Sequence, residues 1–280
     1  MKLIFSIIIA LSGWLPNIDD ESVIPDEIEK IDLNLMENEY AFTFFDLSSG
    51  DAAILQAEDG STILINTGTA AEENKLKKWL TLYGVKKIDA VILTKATKGY
   101  DDNVKNIVTE YNVPRVIAGK KMENRVNSIL SDLQGVELSL WSEQSKETFL
   151  DEIEISVIHE NDTKEEGLDL SFKIKDNYLL YVTSSSEKIR NKLMELNPSD
   201  VQIIKAPYNA MPFATAEHLD PQAVILSEQV DKAVEREMVQ KFREMWIEVF
   251  NTAKQGTVTA KFTKTTHEIF PIKNFLNTRK

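Results

Sequence analysis

Between residues 41 and 262 the apolar residues follow two local patterns, and their coexistence restricts the fold more than any other feature of the chain. The first is the paired β-type run around a tight turn. Ala52–Ala57 and Thr62–Asn66 flank Glu58-Asp59-Gly60-Ser61, and Leu170–Ile174 and Tyr178–Thr183 flank Lys175-Asp176-Asn177. The second is a short apolar strand followed by a helix-spaced segment, as in Ala90–Thr94 before Asn103–Tyr111 and Arg115–Ala118 before Met122–Leu133. Glu72–Tyr83 also has helical spacing, in Leu76, Trp79, Leu80 and Tyr83, with Gly84 placed to cap it. Ser186–Leu196 starts with a serine N-cap and Glu187 in its first turn, and Lys232–Met245 reads as a further helix. Ala41–Leu47, Ile153–Ile158, Val201–Lys205, Ala223–Ser227, Glu248–Asn251 and Thr257–Phe262 complete the strands. Hairpins give antiparallel pairs and strand–helix alternation gives parallel ones, so the expected class is α/β (α+β), with mixed sheets covered by helices. No internal repeat is visible.

The ends of the 280-residue chain differ from this middle. Met1-Lys2 precedes an almost wholly apolar run, Leu3–Leu15. That is short of the about 20 residues a membrane span needs, and it suits a secretory signal peptide or N-terminal anchor, with Ala10 and Ser12 as a small-x-small pair. Asn17–Glu39 holds nine acidic residues against one lysine, which predicts a solvated acidic linker. The expected division is 1–16 as signal or anchor, 17–39 as linker, 40–265 as the folded domain and 266–280 as a basic tail. The predicted location is extracytoplasmic, secreted or membrane-anchored, with the N-terminal segment as the candidate membrane contact. The formal net charge of −13 disfavours direct nucleic acid binding, because phosphates are repelled. The absence of cysteine excludes disulfides, thiolate metal sites and a cysteine nucleophile.

Residues 41–68, AFTFFDLSSGDAAILQAEDGSTILINTG, followed by KIDAVILT at 87–94, resemble the metallo-β-lactamase fold. Within it they are most similar to the C-terminal hydrolase-like domain of the bacterial competence DNA-uptake channel. Phe45-Asp46-Leu47, Gly50-Asp51-Ala52, Asp59-Gly60 and Thr67-Gly68 match that domain's scaffold, and VTSSS at 182–186, KAPYNA at 205–210 and VFNTAKQGTV at 249–258 continue it in order. The resemblance implies a four-layer αβ/βα sandwich of two mixed sheets, with a site at one edge between them.

Active members of the family carry T-H-x-H-x-D-H after a strand, where imidazole and carboxylate donors hold zinc-like ions that activate water. Here Lys95, Thr97, Gly99 and Tyr100 stand at the four donor positions. Ser185 stands at the aspartate of T-G-D, Tyr208 and Asn209 at the histidines of P-H-H-G, and Asn66 at the aspartate of I-L-I-D-T-G. Lys95 and Lys98 add positive charge where a dication would sit. Three histidines exist, His159, His218 and His267, and none has paired ligand spacing. Asp46 and Asp51, with Asp101 and Asp102, are the remaining candidates for a weak oxygen site.

The expectation is therefore a catalytically inactive protein with no metal and no cofactor. It would act by binding or scaffolding toward an unknown protein or a small anionic ligand, with Lys95, Lys98, Asp46 and Asp51 as candidate contacts. The residues leave open a hydrolase of phosphodiesterase or nuclease type with an atypical site, and an accessory factor in DNA uptake. Tyr100, Tyr208, Asn209, Lys95 and Ser185 are expected to converge on the old pocket.

Overall fold

The computed structural model describes residues 30–160, 167–197, 200–208, 211–227, 232–263 and 266–273. The signal segment, residues 17–29 of the acidic linker, Asn209 and residues 274–280 lie outside these.

In chain order, the first half contains β1 (Tyr40–Phe44), β2 (Ala53–Ala57), β3 (Thr62–Ile65), α1 (Glu73–Leu82), β4 (Ala90–Leu93), α2 (Val104–Glu110), β5 (Arg115–Gly119), α3 (Glu123–Leu130) and β6 (Glu137–Trp141). The second contains β7 (Lys146–Phe149), β8 (Ile153–Glu160), β9 (Leu168–Ile174), β10 (Asn177–Tyr181), α4 (Glu187–Glu195), β11 (Ile203–Lys205), α5 (Phe213–Leu219), β12 (Ala223–Leu226), α6 (Lys232–Glu244), β13 (Glu248–Asn251), α7 (Thr252–Gln255), β14 (Thr257–Phe262) and β15 (His267–Ile272). One sheet runs β15-β14-β1-β2-β3-β4-β5-β6 and the other β13-β12-β11-β10-β9-β8-β7. Both are mixed: β3 to β6 pair in parallel, as do β10 to β13, and the hairpins are antiparallel.

Side-chain alternation along each strand builds four layers. Phe42, Phe44, Leu55, Ile63, Ile65, Ile92 and Ile117 of the first sheet meet Ile155, Phe172, Leu179, Tyr181, Ile203 and Ile225 of the second. Phe42 stacks on Phe44 at 4.7 Å between centroids and meets Phe172 edge-on at 4.9 Å. The alternate residues Ile54, Leu64, Val91 and Val116 face the α1–α3 side with Leu76, Trp79, Ile107 and Val126. Leu180, Ile204 and Val224 face Ile189, Leu193, Ala216, Met238 and Phe242. The strands of the centre are apolar on both faces because each face is covered.

The sequence reading and the structure part company in four places. β6 and β7, which the sequence did not mark as strands, are edge strands of mostly intermediate exposure. The α5 helix, seven residues long, lies between Val201–Lys205 and Ala223–Ser227, where no helical spacing is expected. The expected linker and tail both touch the fold. Ile31 and Leu33 pack on the α1 side, the Ile31 amide donates to the Leu82 carbonyl at 2.8 Å, and Lys261 binds the Leu33 and Asn34 carbonyls and Glu39. The start of the predicted tail is β15, paired antiparallel to β14, with Pro271 tolerated because this is a sheet edge. Among the described residues no helix is long and apolar enough to cross a membrane.

Candidate functional site

The C-terminal ends of β4, β10 and β11 meet at one edge of the sandwich, and Asp51 occupies the middle of that edge. Its Oδ2 accepts from Lys205 Nζ at 2.7 Å, from the Tyr181 hydroxyl at 2.6 Å and from Asn66 Nδ2 at 3.1 Å. Asp51, Lys205, Tyr181 and Asn66 are all buried.

Alternation explains how a lysine reaches this place. Ile203 faces the inter-sheet core and Ile204 the helices, so Lys205 points inward again. Tyr181 is its register partner on β10, also inward, and the ammonium lies 4.3 Å from the Tyr181 ring centroid. The two reach across from one sheet to Asp51, which the β1–β2 loop holds at the end of the other. Burial, and then the negative charge and hydrogen bond of Asp51, push the Tyr181 hydroxyl well above its ordinary value. It therefore acts as a donor to Asp51. The sequence reading had placed Asp51 and Asn66 at this edge but missed Lys205 and Tyr181. The available signal was a charged residue at an inward position of an otherwise apolar strand.

Asn66 links this network to β4. Its backbone is left-handed, at φ 57°, which asparagine tolerates better than most residues. From there its Oδ1 accepts the Thr94 amide at 2.8 Å and the hydroxyl at 3.0 Å. The loop 95–100 that follows is tied down by its own backbone. The Asp51 amide donates to the Gly99 carbonyl at 2.9 Å, and the Thr67 amide to the Tyr100 carbonyl at 2.7 Å. Gly99, at φ 92°, sits against Gly50, where an added Cβ would lie 2.4 Å from the Gly99 oxygen. Asn103, also missed from sequence, clamps the same turn by donating to the Thr67 and Thr69 carbonyls at 2.7 and 2.9 Å.

The other positions singled out from sequence fall around this frame. Lys95 Nζ lies over the Tyr100 ring at 5.0 Å, and its stem is packed against Gly167, while Lys98 is exposed. The Thr97 carbonyl accepts the Tyr100 amide. The Ser185 carbonyl accepts from Arg190, and Ser186 caps α4 as its sequence predicted. Tyr208 packs on the helix-side cluster of the second sheet. Leu168 donates to the Thr94 carbonyl at 2.7 Å, so the chain entering β9 rests on the end of β4.

The four aspartates do not assemble into an oxygen site. Asp51 pairs with Lys205, and Asp46 with Lys75 at 3.5 Å. Asp101 makes a two-pronged pair with Arg125, and Asp102 accepts the Ala70 amide at 3.2 Å. Among the described residues no group of three or more His, Cys, Asp or Glu side chains comes together in a way that could hold a metal ion. Among the described residues the donors at the edge do not fit a dication: one carboxylate, already shared by an ammonium, a phenol and an amide.

No protein-family model matches the chain, and no curated protein matches it. Solved structures do. The metallo-β-lactamase fold protein YhfI from Bacillus subtilis is 13% identical with a TM-score of 0.57, over 78% of this chain and 98% of that one. A diphosphatase of the PhnP family is 13% identical with a TM-score of 0.56, over 80% and 97%. A CmlA beta-hydroxylase is 11% identical with a TM-score of 0.58, and this chain spans about half of its length, 54%. At such identities the likeness is one of fold, and the fold is the metallo-β-lactamase αβ/βα sandwich.

Proposed function

We propose that this chain is a metal-independent, non-catalytic protein of the metallo-β-lactamase fold, exported, and acting by binding or scaffolding. The observation that carries the reading is the Lys205–Asp51 ion pair. A fixed ammonium bonded to the one carboxylate at the centre of the edge supplies the positive charge that a metal would otherwise bring, and it repels a second cation from the same oxygen. The replaced residues agree with it: Lys95, Thr97, Gly99, Tyr100, Ser185 and Tyr208 bring no imidazole or carboxylate to the edge.

Export rests on the Leu3–Leu15 run after Met1-Lys2. The candidate binding surface is the 95–100 loop with exposed Lys98, which suits an anionic group on a protein or a small molecule. A role beside a DNA-uptake channel is supported only by the sequence resemblance.

The test is metal content by mass spectrometry after expression with zinc and manganese, together with hydrolysis of a phosphodiester substrate. The expected result is substoichiometric metal and no turnover above buffer. Stoichiometric metal with turnover that a chelator abolishes would replace this reading with that of a hydrolase having an atypical site.

A further inference from the structure

A second buried carboxylate lies outside the Asp51 network and, among the described residues, has no lysine or arginine partner. Asp169 of β9 is fully buried. Its Oδ1 accepts the Thr183 amide at 2.7 Å and the Ser184 amide at 2.9 Å, which fastens the loop between β10 and α4. Among the described residues its Oδ2 has no hydrogen-bond partner, and neither have Ser184 Oγ nor the two ring nitrogens of His159.

His159 is 4% exposed and stands directly opposite Asp169 in the β8–β9 ladder. It is there because of a register break. Ile153, Ile155 and Val157 face the inter-sheet core, and unbroken alternation would send residue 159 the same way. The irregularity between Val157 and His159 turns the imidazole to the other face, where Asp169 lies between inward Leu168 and Leu170. Two further charged groups approach His159. Glu143, in the β6–β7 turn, has a carboxylate oxygen 3.9 Å from Nδ1, and Lys192 of α4 pairs with Glu143 and donates to the Ile158 carbonyl. Neither is a cation for Asp169.

An ionised carboxylate wholly removed from water, with no fixed cation, is costly, and binding a proton is the least expensive way to neutralise the site. Burial pushes the Asp169 carboxyl upward, against the pull of the Thr183 and Ser184 groups and of His159.

We propose that His159 and Asp169 form a buried proton-binding site that takes one proton from solvent as the chain folds and holds it at neutral pH, thereby fixing the 183–185 loop. The proton rides on the Asp169 carboxyl, whose Oδ2 is unpartnered among the described residues, so the buried group carries no charge. The sign follows from the raised Asp169 value. The contribution to stability is complete at acid pH and is lost as pH rises through the folded-state value.

The test is the number of protons released on unfolding of the full chain, between about pH 6 and about pH 9, from the pH dependence of stability. The wild type is expected to release about one proton more than Asp169→Asn, which keeps an oxygen for the two amides and needs no proton. Equal release would overturn the proposal. If the variant does not fold, the wild type decides by nuclear magnetic resonance at neutral pH. A protonated Asp169 carboxyl supports the site, and an ionised one refutes it.

Discussion

Lys205 Nζ and Asp51 Oδ2 lie 2.7 Å apart across the two sheets of the sandwich, with 3% and 6% of their side chains exposed. Such a pair adds little net stability compared with a well-packed apolar pair, but removing one partner leaves the other charged and buried.

Lys205→Met should therefore destabilise the fold by about 3–5 kcal/mol, read from urea denaturation. Asp51→Asn on top of it should cost less than it does alone, with a coupling energy above about 1 kcal/mol. Strict additivity would mean the two groups do not depend on each other.

Tyr181→Phe keeps the ring beneath Lys205 and removes one donor to Asp51, which should cost about 1–3 kcal/mol at neutral pH. Because the folded-state value is raised, the wild type should lose stability as pH rises past the free tyrosine value of about 10. The variant should lose less. Tyr83, which burial pushes up to about 12, acts in the same direction, so the alkaline slope should shrink and not vanish. Stability curves across alkaline pH measure this.

Gly50→Ala should be far worse than Gly60→Ala, although both glycines have φ 82°. At Gly60 an added Cβ meets nothing within 4 Å, leaving backbone strain of about 1–3 kcal/mol. At Gly50 the same atom lies 2.4 Å from the Gly99 oxygen, so the 95–100 loop must also move. Comparable melting temperatures for the two variants would refute the close docking of that loop.

Asn66→Asp would exchange the buried amide beside Asp51 for a carboxylate. Here it would place a second negative charge against Asp51, at the 3.1 Å where the amide now donates. Like-charge repulsion raises the new group's folded-state value. The variant should approach wild-type stability at acid pH and lose ground as pH rises toward neutral, which thermal melts over that range will show.

Much of the architecture was legible because hydrophobic period is a local property. The hairpins at residues 58–61 and 175–177 and the β4, β5, β11 and β12 strands stand out by pattern alone. The edge elements did not stand out, since β6, β7 and β15 are half-covered and bury almost none of their positions fully. At the site, Asp51 and Asn66 stand out in the sequence as polar residues at the ends of apolar strands. Lys205 and Tyr181 do not, because their meaning depends on a partner 154 and 130 residues away.

The order of strands and helices, the burial of the parallel strands on both faces, and the residue types in the loops at the site edge all follow from the sequence itself. What only the tertiary structure decides is which charge answers which. The fold brings Lys205 to Asp51, Arg125 to Asp101, Lys75 to Asp46 and the Ala70 amide to Asp102. Electrostatic compensation acts between groups that are near in space and remote along the chain. Four aspartates that looked in sequence like one oxygen site are distributed by the fold among separate partners.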